Sequence, residues 1–255
     1  MPGGSSRDSG CGFRDSKGQT EPGPQGHLLE VFSSWQGEGP YAGLRQVFVR
    51  LSGCHLRCVY CDTPDSWERV GAWTLHGETR KNPVSVDETL DAIRSFGPHP
   101  SVSLTGGEPV IQAEFVRDVA LGVRAMGMKN YLDTSGTLAD RLAVCADAID
   151  IFAFDIKLPS CPGVRADEDD VRRCLELARG REAFVKIVVM QDSREDEVAR
   201  AAKLVPPEMA LILQIATPVN PSTAPPDGAT LARLRRACGR DVSVMPQLHV
   251  LAGWK

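Results

Sequence analysis

Cys54-His55-Leu56-Arg57-Cys58-Val59-Tyr60-Cys61 places three cysteines in eight residues, with the spacing C-x3-C-x2-C. The number three is informative. A structural zinc site takes four protein ligands, and an electron-transfer iron–sulfur cluster takes four cysteines. A four-iron cubane held by three thiolates leaves one iron without a protein ligand, and that iron is able to bind and reduce another molecule. The competing reading is half of a zinc site, completed by His55, His249 or one of Cys145, Cys161, Cys174 and Cys238. Zinc motifs usually come as two paired halves, however, and no second C-x2-C or C-x2-H pair is present in the chain.

Two neighbouring features sharpen the reading. Tyr60 stands directly before the last cysteine, and Thr105-Gly106-Gly107-Glu108-Pro109 follows an apolar run at 102–104. Glycines at a strand end let backbone approach a ligand closely. Taken together, C-x3-C-x2-C, the preceding aromatic and the GGEP segment resemble the radical S-adenosylmethionine superfamily. That resemblance implies a 4Fe-4S cluster on Cys54, Cys58 and Cys61. The open iron chelates S-adenosylmethionine, and one electron releases a 5′-deoxyadenosyl radical, so the cofactor carries the difficult chemistry and the protein aims it.

Composition agrees with a soluble enzyme. The chain has 255 residues and a net charge of −4, enough for one substantial core and without the basic excess of a nucleic-acid binder. No apolar run approaches the length that spans a bilayer, and the first residues lack a signal peptide's apolar stretch. Three of the eight cysteines belong to the motif and the rest are scattered, with Cys11 near the N-terminus. A cytoplasmic, reducing location fits that usage. Cys145, Cys161 and Cys174 are read as buried packing residues, an auxiliary cluster being the alternative. Residues 1–26 are rich in Gly, Ser and Pro and are expected to be a disordered extension, leaving 27–255 as one domain.

From there, short apolar runs alternate with amphipathic stretches. Strands are expected at 47–51, 102–104, 130–133, 149–154, 184–189, 211–214 and 242–245. Helices are expected at 85–95, opened by a capping box, and at 115–126, 167–179, 193–204 and 229–238. This alternation argues for an α/β fold of parallel strands, an incomplete (β/α) TIM-type barrel with its site at the C-terminal strand ends. Polar, Gly-flanked clusters lie just past successive apolar runs: Cys54, Thr105, Asp133 to Thr137, Asp155 to Lys157, and Gln214 to Thr217. Alternation along 47–52 places Phe48, Arg50 and Ser52 on one face. An arginine buried there needs an anion; on an edge strand it would face water.

The segments flanking the cysteines narrow the family. Leu29 to Gly39 contains Trp35-Gln36-Gly37-Glu38-Gly39, and Cys61-Asp62-Thr63 closes the cysteine loop. With Pro246-Gln247-Leu248-His249 near the end, this resembles the 7-carboxy-7-deazaguanine synthases from about Leu28 onward. The resemblance implies that 6-carboxy-5,6,7,8-tetrahydropterin loses a hydrogen from C6, contracts its ring and loses ammonia, a step towards queuosine and related deazapurines. It further implies magnesium, a homodimer and an external electron donor of flavodoxin or ferredoxin type. Carried over residue by residue, it places substrate contacts at Trp35, Gln36, Gly37, Arg50 and Thr105, and magnesium at Thr63. Cofactor contacts fall at Tyr60, Cys61, Asp62, Gly107, Ser135, Asp155, Ile156, Lys157, Gln214, Ile215, Ala216 and Thr217. Three positions depart from the family. Trp35 replaces Leu or Ile, Gln214-Ile215-Ala216-Thr217 replaces a Gln-Pro-x-Ser, and Asp155-Ile156-Lys157 matches one branch only. Two other readings are a glycyl-radical-enzyme activating enzyme, which shares the cysteine spacing but usually lacks Gln-Gly-Glu-Gly and Cys-Asp-Thr, and a non-catalytic iron–sulfur electron carrier.

Overall fold

The computed structural model describes residues 23–161, 163–164, 167–219 and 222–255. Most of the expected N-terminal extension, with Cys11, lies outside the described residues. The first strand falls just inside the expected extension: β1 (Gln25–Gly26) pairs antiparallel with β6 (Val84–Ser85).

A ten-stranded sheet forms the body. Seven of its strands run parallel: β3 (Arg45–Leu51), β7 (Ser101–Gly106), β8 (Lys129–Thr134), β9 (Ile151–Ile156), β10 (Glu182–Val189), β11 (Ala210–Ile215) and β12 (Ser243–Met245). On the far side of β3 lie β2 (Leu28–Trp35), antiparallel to it, then β4 (Ala72–Leu75) and β5 (Glu78–Lys81). The spatial order is β12-β11-β10-β9-β8-β7-β3-β2-β4-β5, so the first and last strands do not meet and the barrel stays incomplete. The β4–β5 hairpin was absent from the sequence expectation. The whole of β5 is exposed, and no apolar alternation marks it.

Helices α1 (Val86–Arg94), α2 (Ala113–Ala125), α3 (Ala139–Cys145), α4 (Glu168–Leu177), α5 (Glu195–Leu204) and α6 (Gly228–Ala237) cross between the parallel strands, and α7 (Leu248–Ala252) ends the chain. The expected capping box opens α1: the Ser85 hydroxyl accepts from Glu88 N–H, and the Glu88 carboxylate accepts from Ser85 N–H at 2.9 Å. The short α3 and α7 were not anticipated, and neither has a side-chain N-cap to announce it. β9 begins at Ile151 and not at 149, because a 3-10 turn over Ala146–Ala148 precedes it.

Strand alternation gives the sheet two unlike faces. Val47, Val49, Leu51, Val102, Leu104, Leu132, Phe152, Phe154, Val185, Ile187, Val189 and Leu213 belong to one large apolar core under the helices. On the inner face, Tyr131, Ile151, Ala153, Phe184 and Ile212 form a separate plug. One step further along the same strands, the inner residues become polar.

Candidate active site

Above the apolar plug, six neighbouring strands each turn a polar side chain into one cavity: Arg50 from β3, Thr105 from β7, Asp133 from β8, Asp155 from β9, Lys186 from β10 and Gln214 from β11. Arg50 and Thr105 are direct partners across β3–β7, as are Asp155 and Lys186 across β9–β10. The site lies at the C-terminal strand ends because that is where the inner face changes from plug to polar.

Loops cover this ring. The cysteine loop leaves β3 at Gly53, and its backbone is docked from both sides. Gly53 N–H donates to Ser66 O at 2.8 Å, Cys54 N–H to Trp67 O at 2.8 Å, and Arg57 N–H to Gly163 O at 2.9 Å. The Gly106-Gly107 turn is explained by this packing. A Cβ on Gly107 would lie 2.4 Å from Gly53 O and 2.6 Å from Ser66 O, and one on Gly106 only 2.1 Å from Leu51 O. The glycines therefore let the GGEP turn approach the cysteine loop, in addition to leaving Gly107 on the cavity wall. Glu108 of the same turn is buried and holds the next strand end. Thr134 Oγ1 donates to it at 2.7 Å and Ser135 N–H at 2.8 Å, which fixes Ser135.

Cys54, Cys58 and Cys61 all line the cavity as free thiols. Burial pushes Cys54 up to about 11 and also raises Cys61. Cys58 is raised by a hydrogen bond with the Cys161 thiol and by burial. Metal binding replaces those protons. His55, a candidate zinc ligand in the sequence, instead faces Thr137 Oγ1 at 2.8 Å. That leaves three thiols on one loop, at the mouth of a polar cavity, as the donor set. It suits a cluster with one open iron and not a closed tetrahedral zinc site.

Opposite the cysteines, a charged network spans the cavity. Lys186 is 1% exposed and lies between Glu38, with which it makes a short ion pair, and Asp133 at 3.1 Å. Burial pushes Glu38 up most strongly of any single influence, but the Lys186 charge and the hydrogen bonds from Lys186 and Gln247 together leave the carboxyl below its usual range. Burial holds Asp133 above its usual range despite the same lysine. Glu38 also accepts from Gln247 at 2.8 Å and Gln214 at 3.1 Å. Asp62 accepts from Gln247 at 3.1 Å and faces His249 Nε2 at 3.3 Å. Burial opposes ionisation of Asp62, yet the His249 hydrogen bond and the Arg50 charge hold it at about 2. Ligand atoms of Glu38, Asp62 and His249 lie within 4.8 Å of one another, close enough to share a cation.

The anion expected beside Arg50 belongs to the chain itself. Glu30, its partner across β2–β3, accepts from Arg50 Nε at 3.0 Å. Arg50 Nη1 donates to Thr63 Oγ1 at 3.2 Å, and Thr63 Oγ1 donates to Asp62 at 3.0 Å. The Thr63 hydroxyl is thus engaged on both sides. Phe32 and Phe48, also cross-strand partners, stack with centroids 5.1 Å apart beside the Arg50 guanidinium. Two buried acceptors in the cavity, Asp155 Oδ1 and Gln214 Oε1, have no hydrogen-bond partner. Buried polar groups are normally satisfied, so this wall fits a ligand that brings donors. Asp155 is also paired with Lys157 at 2.6 Å, and the Lys157 ammonium lies 5.2 Å from the Tyr60 ring centroid, inside the cavity and not on the surface.

Most of the residues named from the sequence therefore meet here: Trp35, Gln36, Gly37, Arg50, Tyr60, Asp62, Thr63, Thr105, Gly107, Ser135, Asp155, Lys157, Gln214 and Thr217 line one cavity with the three cysteines. Ile156, Ile215 and Ala216 do not line it. Ile156 follows Asp155 on β9, so alternation turns it into the helix-side core. Ile215 follows Gln214 on β11, so alternation turns its side chain away from the cavity, and Ala216 packs with Cys58, Tyr60, Val188 and Met190. Sequence reasoning missed Lys186 and Phe32, gave no site role to Phe48, Glu38 or Gln247, and named Asp133 only within a strand-end cluster and His249 only as an alternative zinc ligand. Lys186 carried a usable signal: a lone charge inside 184–189, an otherwise apolar strand, must be paired if both faces are covered.

Comparison with known proteins agrees. The Radical SAM superfamily profile matches residues 48–205. A 7-carboxy-7-deazaguanine synthase of Geobacter sulfurreducens is 35% identical over 246 residues, spanning 90% of this chain and 98% of that protein. Another from Archaeoglobus fulgidus is 38% identical over 184 residues, or 69% of this chain and 77% of its own. The crystal structure of QueE from Escherichia coli shares the fold, with a TM-score of 0.59 at 20% identity over 88% of this chain and 95% of that one. By sequence and by fold, the chain belongs to the radical SAM superfamily and, within it, to the 7-carboxy-7-deazaguanine synthase family.

Proposed function

We propose that this chain is a lyase converting 6-carboxy-5,6,7,8-tetrahydropterin to 7-carboxy-7-deazaguanine. The observation that carries the reading is the joining, in one cavity, of a three-thiol loop and an arginine beside stacked aromatic rings. When bound, a 4Fe-4S cluster and S-adenosylmethionine supply the radical that takes hydrogen from C6 of the pterin. Cys54, Cys58 and Cys61 hold the cluster. The unpaired acceptors of Asp155 and Gln214, with Tyr60, Ser135, Gly107 and Thr217, line the side assigned to the cofactor.

The free edge of the Arg50 guanidinium reads the substrate carboxylate, with Glu30 fixing its plane from behind. Phe32 and Phe48 back the pterin, and Trp35, Gln36, Gly37 and Thr105 complete that wall. The Gln36-Gly37-Glu38 turn is held against the C-terminal segment: Leu248 N–H donates to Gly37 O at 2.9 Å, and a Cβ on Gly37 would strike His249.

Magnesium is assigned to the Thr63 hydroxyl with Asp62 beside it, oxygen ligands being those that magnesium prefers. Since Arg50 donates to the same hydroxyl, the ion and the guanidinium compete for that oxygen. Loss of the magnesium response in Glu38→Gln but not in Thr63→Ala would move the ion to the Glu38–Asp62–His249 side. The working unit is a cytoplasmic homodimer, reduced by a flavodoxin or ferredoxin. Among the described residues, no helix is long and apolar enough to cross a membrane.

The test is anaerobic incubation with reductant, S-adenosylmethionine and the pterin deuterated at C6. Formation of 7-carboxy-7-deazaguanine is expected, with label appearing in recovered S-adenosylmethionine. Cofactor cleavage without this product, together with a glycyl radical on a partner protein, would replace the reading with that of an activating enzyme.

A further inference from the structure

Gln36 does not stand alone on the cavity wall. It lies just past β2, and its backbone closes the loop that leads to β3: Gln36 N–H donates to Leu44 O and Gly43 N–H to Gln36 O, both at 2.8 Å. Its side-chain amide is held at both ends. Glu38 N–H donates to Gln36 Oε1 at 3.1 Å, and Gln36 Nε2 donates to Gln46 Oε1 at 3.0 Å. Gln46 Nε2 in turn donates to Ser101 Oγ at 2.9 Å. Gln46 is 0% exposed, shares the inner face of β3 with Phe48 and Arg50, and is the direct partner of Ser101 across β3–β7. Gln36 lines the cavity, and Gln46 and Ser101 do not.

The backbone end sets the direction of this chain. An N–H can only donate, so the Gln36 atom that faces Glu38 N–H must be the oxygen. The Gln36 nitrogen then faces Gln46, which must answer with its own oxygen. That leaves the Gln46 nitrogen towards Ser101, whose hydroxyl accepts it. Turning over either amide would oppose two donors or two acceptors where water cannot compensate. One lone pair of Gln36 Oε1 and one hydrogen of Nε2 are used in this way, and one of each is left for a ligand.

We propose that Gln46 is a positioning residue for substrate recognition, which acts through Gln36 by holding its amide in the one orientation that the substrate reads. The inference rests on the assignment of Gln36 to the substrate wall. A free glutamine side chain would have to be immobilised each time a ligand binds, at a cost in affinity. The Gln46 acceptor removes that freedom beforehand. A buried amide that touched nothing would be worse than an apolar residue, and here both ends of the Gln46 amide are engaged.

The test uses the anaerobic, cluster-loaded protein with S-adenosylmethionine and no reductant, so that 6-carboxy-5,6,7,8-tetrahydropterin binds without turnover. Its dissociation constant is measured by calorimetry for the wild type, Gln36→Met, Gln46→Met and the double variant. Gln36→Met should weaken binding. Gln46→Met keeps the volume but loses the acceptor, and should weaken binding about fivefold, the scale of one hydrogen bond. With reductant added, it should raise KM by the same factor and leave kcat unchanged. In the Gln36→Met background, Gln46→Met should have no further effect. Gln46→Glu keeps an acceptor towards Gln36 and lets Ser101 donate, so it should stay closer to the wild type than Gln46→Met does. If Gln46→Met does not load its cluster, Ser101→Ala removes the next link and is measured in its place, with a smaller loss of the same kind expected. Unchanged affinity in the variant that loads overturns the inference alone. An equal loss with and without Gln36 makes Gln46 a packing residue and also overturns it, as does failure of both variants to load. Unchanged affinity in Gln36→Met removes Gln36 from the substrate wall and the inference with it. A wild type that does not bind the pterin overturns the functional reading as well.

Discussion

The two faces of the same parallel strands are both buried, and they are built on opposite principles. On the outer face, Val185, Ile187 and Val189 of β10 are covered by helices, and their stabilisation is area removed from water. On the inner face, one residue away, Lys186 is equally buried and is tolerated only because Glu38 and Asp133 meet it. The outer face depends on the fit of volumes. The inner face depends on every charge finding its partner, which ties the fold to the site.

The comparison breaks most visibly at Lys186. Lys186→Ala leaves Glu38 and Asp133 without their shared cation. It is expected to cost about 3–5 kcal/mol and to abolish turnover, as read by denaturant unfolding and product formation. Lys186→Met combined with Glu38→Gln should regain most of that stability but not the activity. Retention of full stability by Lys186→Ala would show that the inner face is not held by pairing.

Ile187→Ala tests the other face. A cavity under the helices should cost about 2–4 kcal/mol. Iron content and turnover per folded molecule should be unchanged, since Ile187 does not reach the cavity. A lowered iron stoichiometry would mean that the two faces are coupled.

Arg50→Ala is expected to weaken substrate binding by about 2 kcal/mol, the scale of a hydrogen bond to a charged group. Glu30 already neutralises part of the guanidinium, which limits the loss. Direct binding measurements on the variant check this, and unchanged affinity would remove Arg50 from the carboxylate site.

The smallest effect belongs to the capping box of α1, on the outer layer. Hydrogen bonds from the Ser85 backbone and side chain depress Glu88 below its usual value of 4.5. Its stabilisation is therefore full above the unfolded value and is lost as pH falls through the folded one. Because Glu88 is exposed, about 0.5 kcal/mol is expected. Glu88→Gln should flatten that part of the stability profile, as followed by urea midpoints between neutral pH and pH 3.

Much of the outer face could be read from the chain. Strand 184–189 and the apolar face of α2 announce themselves by local periodicity, and boundaries moved by only a few residues. β5 and α3 went unread because neither has a period or cap strong enough to announce it. Among site residues, Arg50 was legible from alternation within one strand. Its partner Glu30 was not, since that pairing depends on β2 lying antiparallel beside β3. Ile156 and Ile215 stand outside the cavity lining for a related reason: a motif names consecutive residues, while a strand sends every second side chain to the opposite side.

By itself, the sequence determined the three-thiol loop, the parallel α/β plan and the strand ends that carry the chemistry, because each is written in residues close together. Tertiary structure alone decided what faces what across the cavity. Glu38 and Lys186 are 148 residues apart, and Asp62 and Gln247 are 185 apart. Gln46 reads as an ordinary polar residue beside a strand until the loop after β2 brings Gln36 to its amide. Local periodicity reports the face on which a side chain lies. Only the curl of the sheet and the docking of its loops select the partner that meets it there.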